Sequence, residues 1–274
     1  MKWNDIIDGV DQISPQQVKE YIENHPSGSF QLIDVRQPEE YEEMHIPGGL
    51  LIPLDKILAH GEDIEKGKPA IIYCRSGRRS QAAAQHLLGQ GFEKVMNMEG
   101  GILAWKGHVM AGSVKNRLAL LPEDADFAGG VEISYAMEEG LQRLYKLLAE
   151  RSNNHECIAM LETLADFEKG HKEALMNIVS TERAASPGGT KPEKVILEGG
   201  FDLTETLENV SAHINDLFGI VDLAMALEVQ AHDFYINLAR LSKVEATKAF
   251  FLKMADEEKN HFAYILREFR QGLS

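Results

Sequence analysis

The chain has 274 residues, 44% of them hydrophobic and 26% charged, with a formal charge of −15. That length allows one or two domains with full cores, the composition is globular rather than disordered, and the acidic balance excludes a general nucleic-acid binder, which needs a basic patch. No run reaches the ~18 apolar residues of a membrane span, Met1-Lys2-Trp3-Asn4-Asp5 does not read as a signal peptide, and two cysteines are too few for a disulfide scaffold or a four-cysteine metal site.

In chain order, Ser14-Pro15-Gln16-Gln17 opens a helix, with serine as the cap and proline in the first turn. The runs Phe30–Val35, Ala70–Tyr73 and Lys94–Met98 predict buried strands of an α/β sheet. The acidic run Glu39–Glu43 predicts a solvated helix. Ser80–Leu88 predicts another helix, closed by Gly89 and Gly91. Residues 113–130, with Pro122 and Gly129-Gly130, read as a linker between a domain over 1–112 and one over 131–274. Beyond the linker the strand signals stop and long helices of 3.6-residue period follow. Their apolar stripe includes Leu141, Leu144, Leu148, Met160, Leu161 and Leu164 and reads as bundle core.

Cys74 opens the run Cys74-Arg75-Ser76-Gly77-Arg78-Arg79-Ser80, between an expected strand and an expected helix. Amides of such a turn converge on one point, the helix N-terminus adds positive potential, and Arg75, Arg78 and Arg79 strengthen it. Surroundings of that kind lower a thiol's pKa. Together with Asp34-Val35-Arg36, Glu43-Met44-His45-Ile46-Pro47-Gly48-Gly49 and Gly100-Gly101-Ile102-Leu103-Ala104-Trp105, the loop resembles that of single-domain rhodanese sulfurtransferases over about residues 11–110. The resemblance implies that Cys74 is the nucleophile that carries sulfane sulfur as a persulfide. It implies that Arg75, Ser76, Gly77, Arg78 and Arg79 cradle it, and that Asp34 and Arg36 shape the pocket rim. His45 is expected to be structural. Phosphatase relatives carry a loop one residue longer, which disfavours that activity. A donor and an acceptor of sulfane sulfur are the implied partners.

The second half repeats itself after 90 residues. Ala136-Met137-Glu138, Tyr145 and Ala149 recur as Ala226-Leu227-Glu228, Tyr235 and Ala239, and Ala165-Asp166-Phe167-Glu168-Lys169-Gly170-His171 recurs as Ala255-Asp256-Glu257-Glu258-Lys259-Asn260-His261. Each copy holds a lone glutamate and, 30 residues on, a Glu-x-x-His whose two side chains share one helix face. With turns at Asn153-Asn154 and Ser242-Lys243, fifteen helical residues on either side rise ~22 Å and bring each lone glutamate level with its Glu-x-x-His. Two such hairpins converge four carboxylates and two imidazoles, a ligand set for two iron or manganese ions in a four-helix bundle.

Residues 131–270 thus resemble the rubrerythrin branch of the ferritin-like proteins. The resemblance implies metal ligation by Glu138, Glu168, His171, Glu228, Glu258 and His261, with Glu168 and Glu258 bridging, and places Tyr145 and Tyr235 behind the ligands. It implies a crossover over residues 180–202. The cofactor expected is a pair of iron ions, with manganese or zinc as alternatives. The sequence departs from the family where a second glutamate often follows the third ligand helix, since Ala231 and then His232 stand there. It also lacks a pair of Cys-x-x-Cys motifs, so a rubredoxin-type iron site is not expected and an external electron donor is. Cys157, His213 and His232 are expected to pack or face solvent.

The expected architecture is an α/β rhodanese domain followed by an all-α ferritin-like four-helix bundle. Two functions fit it: a redox protein that joins persulfide chemistry to a di-iron centre reducing peroxide or activating oxygen, or an iron-binding bundle with a regulatory sulfane-sulfur-binding domain. A homodimer in a reduced, cytoplasmic setting, without nucleic-acid or membrane partners, completes the expectation.

Overall fold

The computed structural model describes residues 9–59, 64–112, 127–181, 203, 206–207 and 214–272. The chain divides into two units, Met1–Ser113 and Val114–Ser274.

The first unit alternates β1 (Asp11–Ile13), α1 (Pro15–Asn24), β2 (Gln31–Asp34), α2 (Pro38–Glu43), β3 (Gly49–Leu51), α3 (Leu54–Ala59), β4 (Ala70–Tyr73), α4 (Arg78–Gly89), β5 (Val95–Met98) and α5 (Gly101–Ala104). Its five strands form one parallel sheet in the order β1-β5-β4-β2-β3. β2 and β4 are buried at every position, as strands covered on both faces must be. Ile33, Ile72, Ala83 and Leu87 pack one face, and Leu32, Ile71, Tyr73 and Met98 the other. α1 starts as the sequence expects: Ser14 accepts from the Gln17 amide, and the Gln17 side chain accepts from the Ser14 amide. The edge strands β1 and β3 were not expected. Each has three residues, too few to show a period. Asp34 pairs with Tyr73 in the parallel register, so the C-terminal ends of β2 and β4 lie side by side. That edge is where open α/β sheets place their sites, and Cys74 is the first residue beyond it.

Four long helices build the second unit: α6 (Phe127–Arg151), α7 (His155–Thr181), α8 (Leu217–Leu241) and α9 (Glu245–Gly272). α6 packs on α7 and α8 on α9 as hairpins, and the hairpins meet through α7 with α8 and α6 with α9. Both turns fall where the repeat puts them. Leu141, Leu144, Leu148, Leu161 and Leu164 form the core with Ile220, Val221 and Leu227, and Met160 packs against it. The first turn is tied to the start of α8: Asn215 Oδ1 accepts from the Asn153 amide at 2.7 Å and from Ser152 Oγ at 3.1 Å. α6 begins at Phe127, inside the stretch expected as linker, so Gly129-Gly130 lie within its first turn instead of breaking it. Residues 113–126, His213 and residues 182–202 of the expected crossover lie outside the described residues. Among the described residues no helix is long and apolar enough to cross a membrane.

Candidate functional site

Cys74 follows the buried strand β4 and is itself 1% exposed. The turn after it is forced by glycine. Gly77 takes φ +91° and caps α4, and its amide donates to Cys74 Sγ at 3.1 Å. Ser80 Oγ donates to the same sulfur at 3.4 Å. The loop is closed from outside by α5: the Ile102 amide donates to Cys74 O at 2.8 Å and the Leu103 amide to Arg75 O at 3.2 Å. Gly101, at φ +58°, lies so close to the Cys74–Arg75 peptide that a Cβ would collide with it.

Burial is the largest influence on the Cys74 thiol and pushes its pKa up. The hydrogen bonds from the Ser80 hydroxyl and from the amides of Ser80, Ser76 and Gly77 together outweigh it, and the thiol lies below its ordinary value. At Cys157, burial and the charges of Asp216 and Glu156 push the thiol up.

Three expectations need correction here. Asp34 and Arg36 do not shape a pocket rim. Both are buried, and Arg36 grips the Asp34 carboxylate through Nε at 2.9 Å and Nη2 at 2.6 Å while donating to Met44 O. An isolated buried charge is costly, so each serves to satisfy the other. Arg79 is not aimed at the sulfur as an open cation. Its guanidinium meets Glu40 of α2 in a two-bonded pair, 2.7 Å for each bond, and this pairing pulls the Glu40 carboxyl down to about 2. The acidic run is consequently not simply a solvated helix, since Tyr41 is buried and Glu40 is paired. Arg75, Ser76 and Arg78 are exposed around the loop. His45 is structural: it is buried, stacked on Tyr41 at 3.8 Å and bonded to Tyr41 O. Ser80, expected only as a helix residue, is the side chain that sequence reasoning missed. Its place one residue after Arg79 was the available signal, because the first turn of a helix faces the loop that leads into it.

In the second unit Glu138, Glu168, Glu228 and Glu258 are all 0% exposed and His171 is 6% exposed. They come from four helices onto one spot. Ligand atoms lie within 4.8 Å of one another in three overlapping groups: Glu138, Glu168 and His171; Glu168, Glu228 and His261; and His171, Glu258 and His261. His171 Nδ1 is 3.1 Å from Glu138 and 3.7 Å from Glu168, while His261 Nδ1 is 3.4 Å from Glu228 and 3.7 Å from Glu258. The two imidazoles stack, with centroids 4.5 Å apart. Tyr235 donates to Glu138 Oε1 at 3.2 Å, and Tyr145 is fully buried in the core. His232, one turn after Glu228, is buried; burial first, then Lys259, pushes its pKa down to about 4.

Four carboxylates in a dry interior repel one another and forfeit hydration worth several kcal/mol each. Among the described residues, neither oxygen of Glu228 and not the Nδ1 of His261 makes a hydrogen bond of good geometry, although the two lie 3.4 Å apart. Carboxylate oxygens and imidazole nitrogens converging on one spot fit divalent cations, and iron, manganese and zinc all accept that donor set.

A family profile described as a rhodanese-like domain matches residues 14–108, and one described as rubrerythrin matches residues 219–273, the second hairpin. The chain is 42% identical over 77 residues to the thiosulfate sulfurtransferase GlpE of Coxiella burnetii, a match spanning 28% of this chain and 72% of that protein. It is 40% identical over 98 residues to the putative sulfurtransferase YtwF of Bacillus subtilis, spanning 36% of this chain and 92% of that protein. Among solved structures, a rhodanese-like domain protein from Staphylococcus aureus is 28% identical with a TM-score of 0.35, covering 38% of this chain and all of that one. The α/β unit with its acidic thiol and the helical unit with its repeated Glu-x-x-His therefore belong together in one reading: the chain is a member of the rhodanese-like family that also carries a rubrerythrin domain.

Proposed function

We propose that this is a two-domain redox protein in which Cys74 carries sulfane sulfur and the carboxylate–histidine cluster holds two iron ions that reduce peroxide or activate oxygen. The observation that carries the reading is the convergence of four fully buried glutamates and two histidines.

At the first site the Cys74 thiolate attacks the outer sulfur of a donor such as thiosulfate. The Sγ–S bond forms, the S–S bond of the donor breaks, and sulfite leaves with the electron pair. Amides of Ser76, Gly77 and Ser80 and the Ser80 hydroxyl hold the anionic sulfur. A nucleophilic acceptor then takes the outer sulfur and returns Cys74 as thiolate. Arg75 and Arg78, both exposed, draw an anionic donor to the mouth.

At the second site Glu138, Glu168, His171, Glu228, Glu258 and His261 would hold the metal pair, with Glu168 and Glu258 bridging. When bound, two iron ions supply the two electrons needed to cleave a peroxide O–O bond. Tyr235 fixes the Glu138 carboxylate through its hydroxyl, and the four glutamates are closed off from solvent. Cys74 and Cys157 are the only cysteines in the sequence, so electrons come from a donor outside these residues. That point also supports a second reading, in which the bundle binds or stores iron and the sulfur domain regulates it. A homodimer completes the proposal.

Metal analysis of the purified protein, paired with peroxide turnover and mass spectrometry after thiosulfate, tests it. About two iron ions, peroxide consumption and one added sulfur on Cys74 that Cys74→Ser loses are expected. Iron without turnover selects the storage reading, and neither iron nor manganese defeats both.

A further inference from the structure

The 90-residue repeat that supplies the ligands is broken at one informative position. The residue before the bridging candidate is Phe167 in the first copy and Glu257 in the second. Each lies across the bundle against the histidine of the other copy, and the two do opposite things there.

His171 turns Nδ1 toward the carboxylates of Glu138, Glu168 and Glu258, at 3.1 to 3.7 Å. Its other ring nitrogen, Nε2, faces Glu257 Oε2 at 3.6 Å. Glu257 is itself steadied from the solvent side by Lys253, 3.2 Å away one turn earlier in α9. His261 also presents Nδ1 to its glutamates, but besides the His171 imidazole stacked on it its ring meets the phenyl of Phe167, where His171 meets the carboxylate of Glu257. Phe167 lies flat on it, with centroids 4.7 Å apart, and Tyr264 stands edge-on to Phe167 at 4.9 Å. Among the described residues the ion pairs of His261 all run through Nδ1.

We propose that Glu257 is a positioning residue for His171 that makes the two halves of the cluster unequal, an inference that rests on the di-metal reading above. An imidazole that gives Nδ1 to a metal keeps its proton on Nε2, and a carboxylate facing that N–H fixes the tautomer and the ring plane and makes Nδ1 the stronger donor. His171 has such a carboxylate. His261 has a phenyl ring instead, which holds the plane by stacking and adds nothing to donor strength. The half of the site served by His171 therefore fills first and holds its ion more tightly, although the six ligands are matched pairwise by the repeat.

The test uses the full-length protein, stripped of metal and titrated anaerobically with Co(II), followed by the visible ligand-field absorption and by calorimetry. The wild type is expected to take up two ions in two resolved steps. In Glu257→Gln, which keeps size and removes charge, the tighter step weakens about 10- to 100-fold and its absorption band shifts, while the weaker step and the metal-free melting curve stay in place. Phe167→Glu supplies the converse, a tightening of the weaker step. Two ions bound by the wild type with the same affinities and spectrum in Glu257→Gln would overturn the inference and leave the di-metal reading standing. Wild-type protein that binds no cobalt overturns that reading and the inference with it.

Discussion

The two candidate sites bury negative charge by opposite means. At Cys74 a single sulfur sits in a turn whose own amides and Ser80 hydroxyl already point at it and favour its anionic form. The protein alone supplies the compensation. In the bundle four carboxylates share a dry interior with two imidazoles, and no amide is spare there because helical amides are spent on the helix itself. A loop can turn its backbone toward a charge, whereas a helix bundle has only side chains to offer, and on the proposed reading metal cations finish the site.

The largest effect should follow from taking those cations away. Iron at about 1,000 times its dissociation constant stabilises the bundle by about 4 kcal/mol, which for a unit of this size is a shift of roughly 10 °C in the calorimetric midpoint. Glu168→Gln should sharpen the contrast by reversing sign: the metal-free protein gains about 1 kcal/mol or more as repulsion is relieved, and the stabilisation by iron shrinks. A metal-free wild type that melts no lower than the loaded protein would break the comparison.

Next in size is Gly101→Ala. It forces an alanine to positive φ and drives its Cβ into the Cys74–Arg75 peptide, at a cost of at least about 2 kcal/mol. The melting transition of the first unit should drop and persulfide loading should be lost together; loading at the wild-type rate would show that α5 does not shape the loop.

Ser80→Ala acts on the thiol without touching the fold. Removing a hydrogen bond that favours the thiolate raises the Cys74 pKa, so the pH profile of alkylation moves to higher pH and the rate at neutral pH falls several-fold. An unmoved profile would leave the amides as sole stabilisers.

The smallest effect belongs to Glu40. Its carboxyl is lowered from 4.5 to about 2 by Arg79, so the pair stabilises the folded state above pH 4.5 and the contribution fades as pH falls toward 2. Both partners are about one-third exposed, which keeps the effect below about 1 kcal/mol. Acid titration of stability should be flatter in Glu40→Gln over that window.

Much of this was legible because the informative patterns are local or periodic. The capped start of α1, the buried strands β2, β4 and β5, the hairpin turns and the convergence of four glutamates and two histidines all follow from spacing within one helix, one strand or one repeat. What stayed hidden depends on where separate segments meet. Arg79 and Glu40 are 39 positions apart, and nothing near either names the other. The resemblance alone places Asp34 and Arg36 at a rim, and only their burial at the end of β2 shows that they satisfy each other. β1 and β3 exist because a neighbouring strand offers hydrogen bonds at each edge, a condition their three-residue sequences do not record.

The bonds from Ile102 and Leu103 to the Cys74–Arg75 peptide have a consequence for the order of synthesis. Cys74 leaves the ribosome well before the segment that clamps its turn, and until Gly101 docks the Cys74–Arg75 peptide lacks the bonds from Ile102 and Leu103. A chain ending before that glycine is expected to carry a less reactive thiol, so the turn is completed only after the last strand of the sheet has been made.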